Sequence, residues 1–303
     1  MSLKILDYFF FARPMLIIPV WTVYLHYRAD CLCAGFGDWE WSLSVWISLA
    51  ALTLVFLGTY VVNQIYDIES DRINHKLFYL PQGIISVGSA WTFYALLTIG
   101  GLLAAAVISP ETFIVAVIIT CLGFLYSAPY VRLKDSLLGG LLINSLAYGL
   151  LIPWIAGIFC AGRWPLVGAI PYFLAIAAGY VLTTIPDAAG DARTGKTTMA
   201  VALGGRGALW LGFFLALVTA GAAYYITNYE LAAVGAVAAL VIISAMIWLS
   251  DWLVRLACKL PILLLTIFAG IHYPLYMIIL LLTIVGTRLY YKKRFDIVYP
   301  RLD

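Results

Sequence analysis

Residues 41–72 read WSLSVWISLAALTLVFLGTYVVNQIYDIESDR. From Trp41 to Tyr66 no side chain is charged, and about 20 apolar residues are enough to cross a bilayer. The run ends on Asp67 and Asp71, whose i, i+4 spacing puts both carboxylates on one helix face. Asn63 carries that face one turn inward. Carboxylates at the end of a membrane helix are costly to place and mark functional sites. One stretch thus points both to a membrane helix and to a polar site at its end.

The rest of the chain agrees with the first half of that reading. Of 303 residues, 64% are hydrophobic and 11% charged, where a soluble domain carries about 25% charged residues. Spans are expected at 14–29, 41–66, 88–109, 111–131, 137–161, 167–186, 207–227, 230–250 and 262–288, with breaks at Ser109-Pro110, Pro129, Gly162 to Pro165 and Gly204-Gly205. The expected fold is all-α: a polytopic membrane protein of about nine helices in one bundle. It forms a single domain over residues 1–303, because no polar stretch is long enough to bury a core of its own. The N-terminus has charges on both sides of its aromatic run and no small-residue cleavage pattern, so it reads as mature chain. Five cysteines give no disulfide framework, Cys31 and Cys33 being too close for an easy bridge. His26, His75 and His272 form no HExxH or i, i+4 pair, which argues against zinc.

A second acidic pair, Asp187 and Asp191, stands in IPDAAGD at residues 185–191. Four crossings separate its span from the first, so both pairs face the same side of the membrane. Loops on that side hold Arg72 and Lys76, Arg132 and Lys134, Arg193, Lys196 and Arg206, and Arg255 and Lys259. With Lys4 and Arg13, this is the larger share of the 18 basic residues. The positive-inside rule makes that side cytoplasmic. Nine spans leave the basic tail, Arg288 to Arg301, on the far side, and Trp248 to Pro261 is the stretch where that count is weakest.

Each acidic pair runs on into basic residues. Mg²⁺ takes oxygen ligands, usually a few carboxylates plus substrate phosphate, and Lys or Arg neutralises the remaining phosphate oxygens. The two clusters together suit a metal-complexed diphosphate. Helix-end solvation is the plainer reading of the acids, but the helix dipole disfavours carboxylates at a C-terminus, so a cation is needed to compensate them. Gly190 to Thr197 formally matches GxxxxGK[ST], yet that loop needs a strand before it and an α/β domain around it. Neither nucleotide nor nucleic acid is expected as a partner.

Asn63-x-x-x-Asp67-x-x-x-Asp71-Arg72-Ile73-Asn74, with Leu80-Pro81-x-Gly83 after it, resembles the first signature of the UbiA family of intramembrane prenyltransferases. Asp187-x-x-Gly190-Asp191, with Gly195-Lys196-Thr197, resembles the second. Tyr126-Ser127-x-Pro129-Tyr130-x-x-x-Lys134 is similar to the motif after the fourth span, and Arg13-Pro14 before the first span also fits. The anchors run in order from residue 13 to about 205. One departure is Leu77-Phe78-Tyr79, where the family often has basic residues; it removes one phosphate or acceptor contact. The resemblance implies Mg²⁺-dependent transfer of a prenyl group from a polyprenyl diphosphate to an aromatic or lipid acceptor, with water excluded by the helix bundle and two ions expected.

On that resemblance Asp67, Asp71, Asp187 and Asp191 are the catalytic carboxylates and, with Asn63, the metal ligands, directly or through water. Lys134, Arg72 and Lys196 contact the diphosphate, with Arg13 and Tyr130 behind them. Tyr126 lies near the allylic carbon, whose cationic character aromatic faces stabilise by about 0.5–2 kcal/mol each. Asn144, polar inside an apolar span, faces the cavity or a neighbouring helix. Two rivals stand beside this reading. A cation-coupled transporter predicts mid-span carboxylates and broken helices, whereas these acids sit at helix ends. A membrane phosphatase for prenyl diphosphates would use the same metal site with water in the acceptor's place.

Overall fold

The computed structural model describes residues 3–33, 41–73, 79–160, 165–193 and 195–300. Its regular elements there are all helical. Helix α1 (Leu3–Phe11) meets α2 (Ile18–Cys33) through a short turn of 3-10 helix at Pro14–Ile17. Then come α3 (Leu43–Tyr66), α4 (Ile68–Ile73), α5 (Val87–Ile108) and α6 (Pro110–Ser127). A broken span follows, made of α7 (Gly139–Leu146), a π-helical segment at Ala147–Leu151, and α8 (Ile152–Gly157). The chain ends with α9 (Pro165–Arg193), α10 (Met199–Tyr225), α11 (Tyr229–Trp248), α12 (Asp251–His272) and α13 (Pro274–Phe295).

Nine of these helices or helix runs are long and apolar enough to cross a membrane. In addition, α1 and α2 form a pair bent by 43°. The bend sits at Arg13, held in the left-handed region at φ 63, just before Pro14. Nine such helices equal the expected count, but the α1–α2 pair, which falls on the expected span 14–29, adds a tenth crossing, because the last expected span is divided. The expected span 262–288 is not one helix. It breaks at Tyr273, with Pro274 in the first turn of α13, where a missing N–H costs nothing. Of the stretch expected to be weakest, Trp248 to Pro261, the residues from Asp251 onward form the first half of α12, and Pro261 lies inside that helix.

Capping explains several boundaries. Ser86, Ser109 and Asn228 accept hydrogen bonds from the N–H groups of Ser89, Thr112 and Leu231 at 3.1, 3.0 and 2.9 Å, satisfying donors that no helical carbonyl reaches. Pro110 follows its cap at the first helical position. Small residues let the spans approach closely. A Cβ on Gly101 would stand 2.9 Å from the Val55 backbone nitrogen, so the backbones of α3 and α5 approach each other directly.

Short connections make successive spans antiparallel. The C-terminal ends of α3, α6, α9 and α13 therefore lie at one end of the bundle. The ion pair of Arg294 near the end of α13 with Asp7 on α1, at 3.1 Å, joins both ends of the chain there. The basic tail is thus on the acidic side, because the crossings between α1 and the tail are even in number once α12 and α13 separate.

Candidate active site

Helix α3 does not run through its acidic end. Asp67 caps it at φ −101, ψ 7, and α4 starts at the next residue. The carboxylate stands at the unfavourable end of a helix dipole, and the structure supplies the compensating cation. Lys134 Nζ lies 2.5 Å from both Asp67 oxygens. Arg132 Nη2 is 4.0 Å from Oδ1. Lys134 is carried by a one-turn 3-10 helix, Leu133–Asp135, after α6, entered through Arg132 at a left-handed φ of 39. Asn63, one turn back on α3, donates to Ser127 Oγ at 3.0 Å at the end of α6.

The second cluster is built differently. Helix α9 was expected to stop at residue 186. It continues through Pro186 to Arg193, so Asp187 and Asp191 occupy its last turns on one face. Polar neighbours in a bundle can re-satisfy a backbone group freed by proline. Beyond the helix, Gly195 takes φ 73, which reverses the chain and lets the Lys196 N–H bond the Asp191 carbonyl at 3.0 Å. The Lys196 ammonium then lies 3.4 Å from the Asp191 carboxylate, and Thr198 Oγ1 donates to it at 3.3 Å. The Thr197 N–H bonds the Asp135 carbonyl at 3.0 Å and so ties this turn to the one bearing Lys134.

The two clusters meet in one cleft of about 330 Å³, lined among others by Asn63, Asp67, Lys134, Asp187, Asp191 and Lys196. Beside it lies a chamber of about 260 Å³, lined among others by Phe56, Ile119, Ala147 and Tyr148, with Arg13 and Asn144 also at its wall. Asn63 and Tyr126 line both spaces. Arg13 Nε is buried with no hydrogen-bond partner among the described residues. Tyr148 pairs with Tyr60 at 2.5 Å, and Tyr60 donates to the Leu16 carbonyl at 3.0 Å.

Not every expected residue joins this arrangement. Asp71, on α4, is 9% exposed and does not line the cleft. Arg72 pairs with Glu69 at 3.2 Å on the surface, and Tyr130 is fully exposed. Asn144 lines the chamber, and its side chain also donates to the Gly140 carbonyl of its own helix at 2.8 Å. Other lining residues were not singled out in the sequence. Tyr180, Thr183 and Thr184 precede Asp187 on α9 at helical spacing, so extending the acidic face backward would have found them. Tyr148 gave no such signal, because its direction depends on the π-helical segment.

Among the described residues no three His, Cys, Asp or Glu side chains converge closely enough to hold a metal by themselves. The donor set nevertheless suits Mg²⁺: hard carboxylate and amide oxygens in one cleft, with lysines beside them. Mg²⁺ is commonly bound by one or two carboxylates and completed by substrate phosphate and water.

The sequence pattern of the UbiA prenyltransferase family matches residues 20–259. Digeranylgeranylglyceryl phosphate synthase of Sulfurisphaera tokodaii is 27% identical over 172 residues, 54% of this chain and 60% of that protein. The chloroplastic homogentisate solanesyltransferase of Arabidopsis thaliana is 30% identical over 193 residues, 59% of this chain and 50% of that protein. The chain thus spans about half to three-fifths of these relatives' length. A solved UbiA homologue from Archaeoglobus fulgidus superimposes with a TM-score of 0.73 at 20% identity, covering 89% of this chain and 97% of that one. The same homologue bound to GPP and Mg²⁺ gives 0.67, covering 88% and 99%. At this identity the likeness is one of fold. The match over residues 20–259 decides membership: the chain belongs to the UbiA prenyltransferase family.

Proposed function

We propose that this protein is a Mg²⁺-dependent intramembrane prenyltransferase, taking a prenyl group from a polyprenyl diphosphate to a lipid or aromatic acceptor and releasing diphosphate. One observation carries the reading: a cleft of carboxylates and lysines adjoins, across Asn63 and Tyr126, a chamber with a more apolar lining. A prenyl diphosphate has that same division, a charged head on a hydrocarbon tail. Solved relatives bound to GPP or DMAPP with Mg²⁺ support the donor class. The names of the relatives, a glyceryl phosphate synthase and a homogentisate transferase, support a lipid or aromatic acceptor.

Asp67, Asp187, Asp191 and Asn63 are the residues we assign to hold the ions, two in number, with Asp71 as an outer ligand through water. Bound Mg²⁺ would stabilise the charge that develops on the departing diphosphate. The chain's own groups do the rest. Lys134 and Lys196 leave their carboxylates for the non-bridging phosphate oxygens, a charge-assisted contact. Arg13 serves an anionic group of either substrate at the chamber wall. The aromatic faces of Tyr126, Tyr60 and Tyr148 border the allylic carbon and stabilise positive charge there. The chamber keeps water from that carbon, so the acceptor captures it first. We assign the cleft to the cytoplasmic face, supported by Arg132, Lys134, Arg193, Lys196 and the α13 basic residues gathered at that end.

The test incubates purified protein with labelled geranylgeranyl diphosphate, Mg²⁺ and a panel of glycerol-phosphate lipids and phenolic acids. A labelled acceptor that disappears with EDTA and returns with Mg²⁺ is the expected result. Free prenyl alcohol in place of product would instead indicate hydrolysis.

A further inference from the structure

At the acidic end of the bundle a second cluster lies away from the cleft. Asp7 on α1 is 4% exposed. Arg294 of α13 grips both its oxygens, Nε to Oδ1 at 3.1 Å and Nη2 to Oδ2 at 3.3 Å. Tyr290, one turn earlier, donates to the same carboxylate. Tyr79 donates to the Tyr290 hydroxyl at 3.3 Å. Burial pushes the Tyr79 phenol far above its usual range, which keeps this donor protonated. The rings close the remaining space: Phe10 stacks on Tyr290 at 3.9 Å between centroids, and Tyr79 meets Phe295 edge-on at 5.6 Å.

This clasp is connected to the cleft on two sides. Along α1, Phe11 lies one turn after Asp7, and its carbonyl accepts from Gln64 at 2.8 Å. Gln64 adjoins Asn63 and lies within a turn of Asp67. Through Tyr79, the clasp fixes the turn that follows the first acidic motif, closed by the Ile85 N–H on the Tyr79 carbonyl at 3.1 Å. Asp7, Tyr290 and Arg294 all fall outside the family-matched residues 20–259. Tyr79 itself stands where the family often carries a basic residue.

We propose that Asp7 is a positioning residue: through it, α13 braces the α1 end and the Tyr79 turn, and so holds Asn63 and the first acidic motif in register with the second. The inference rests on the cleft being the donor site. A buried ion pair is a poor source of stability but an effective way to fix one arrangement, and a site loosened by a fraction of an ångström loses binding and rate.

The test compares wild type with Asp7→Asn, Arg294→Gln and the charge-keeping Asp7→Glu. Donor KM and kcat are measured alongside amide hydrogen exchange over residues 60–73 and 79–86. Asp7→Asn and Arg294→Gln are expected to raise donor KM about fivefold with kcat within about twofold, and to speed exchange in both segments, while Asp7→Glu recovers most of the effect. Tyr290→Phe keeps the ion pair and removes one hydroxyl; it gives a smaller shift of the same kind and serves if Asp7→Asn fails to fold. A lowered melting temperature with unchanged donor KM and unchanged exchange over 60–73 would overturn the proposal. Exchange needs no turnover, so an inactive wild type would sink the assigned function while leaving the brace decided on its own evidence.

Discussion

At the scale of single residues, the cleft rests on two carboxylate–lysine pairs that came from different places in the chain. Asp67 meets Lys134 from the turn after α6, and Asp191 meets Lys196 from the turn after its own helix. The acids were legible, because i, i+4 spacing at the end of an apolar run leaves few readings. Their partners were legible only as basic residues on the same side. Which lysine reaches which acid depends on left-handed turns at Arg132 and Gly195, and no periodicity reports those. Asp67→Asn keeps the size of the side chain and the cap N–H bond to Asn63 but removes the charge. It is expected to lower kcat/KM for the donor at least about a hundredfold, ~2.7 kcal/mol in the barrier, with the purified variant still monodisperse. Lys134→Ala should act mainly through donor KM, since it removes a phosphate contact; a larger loss in kcat than in kcat/KM would contradict that role.

Among the elements, most spans were readable as apolar runs between Ser, Pro and Gly punctuation. Two helices run past the proline at which their expected span ended or began, because within a membrane bundle proline is tolerated inside helices, as at Pro186 and Pro261. The true break at Tyr273 falls on the short step His272-Tyr273-Pro274 inside one long apolar stretch. The π-helical segment at Ala147–Leu151 was equally invisible, although it turns Tyr148 toward the chamber. Its position depends on Gly149, where a Cβ would stand 2.5 Å from Phe173 Cα and 2.7 Å from its nitrogen. Backbone atoms of α9 cannot yield as a side-chain tip can. Gly149→Ala is therefore expected to cost about 1–3 kcal/mol and to lower both thermal stability and activity, as melting and transfer assays on one preparation will show. Unchanged melting would mean that the π-helical segment and α9 are not in this contact.

For the whole molecule, an extra break near the end changes which side the tail occupies. Reporter fusions at the two termini are expected to lie on the same face of the membrane, as the Asp7–Arg294 pair requires; opposite faces would refute the arrangement of α12 and α13. The cleft itself spans the bundle, with Asp67 from its first half and Asp187 and Asp191 from its second. Asp67 and Asp191 are each held by a lysine, so a lone metal ion must displace a lysine and a lone diphosphate must draw one off its carboxylate. Only the two arriving together exchange every partner at once. The cargo then acts as a rivet between the two halves of the bundle. A ligand in hundredfold excess over its Kd stabilises the folded state by about 2.7 kcal/mol. Melting curves with Mg²⁺ alone or with diphosphate alone should therefore move less than the curve with both together.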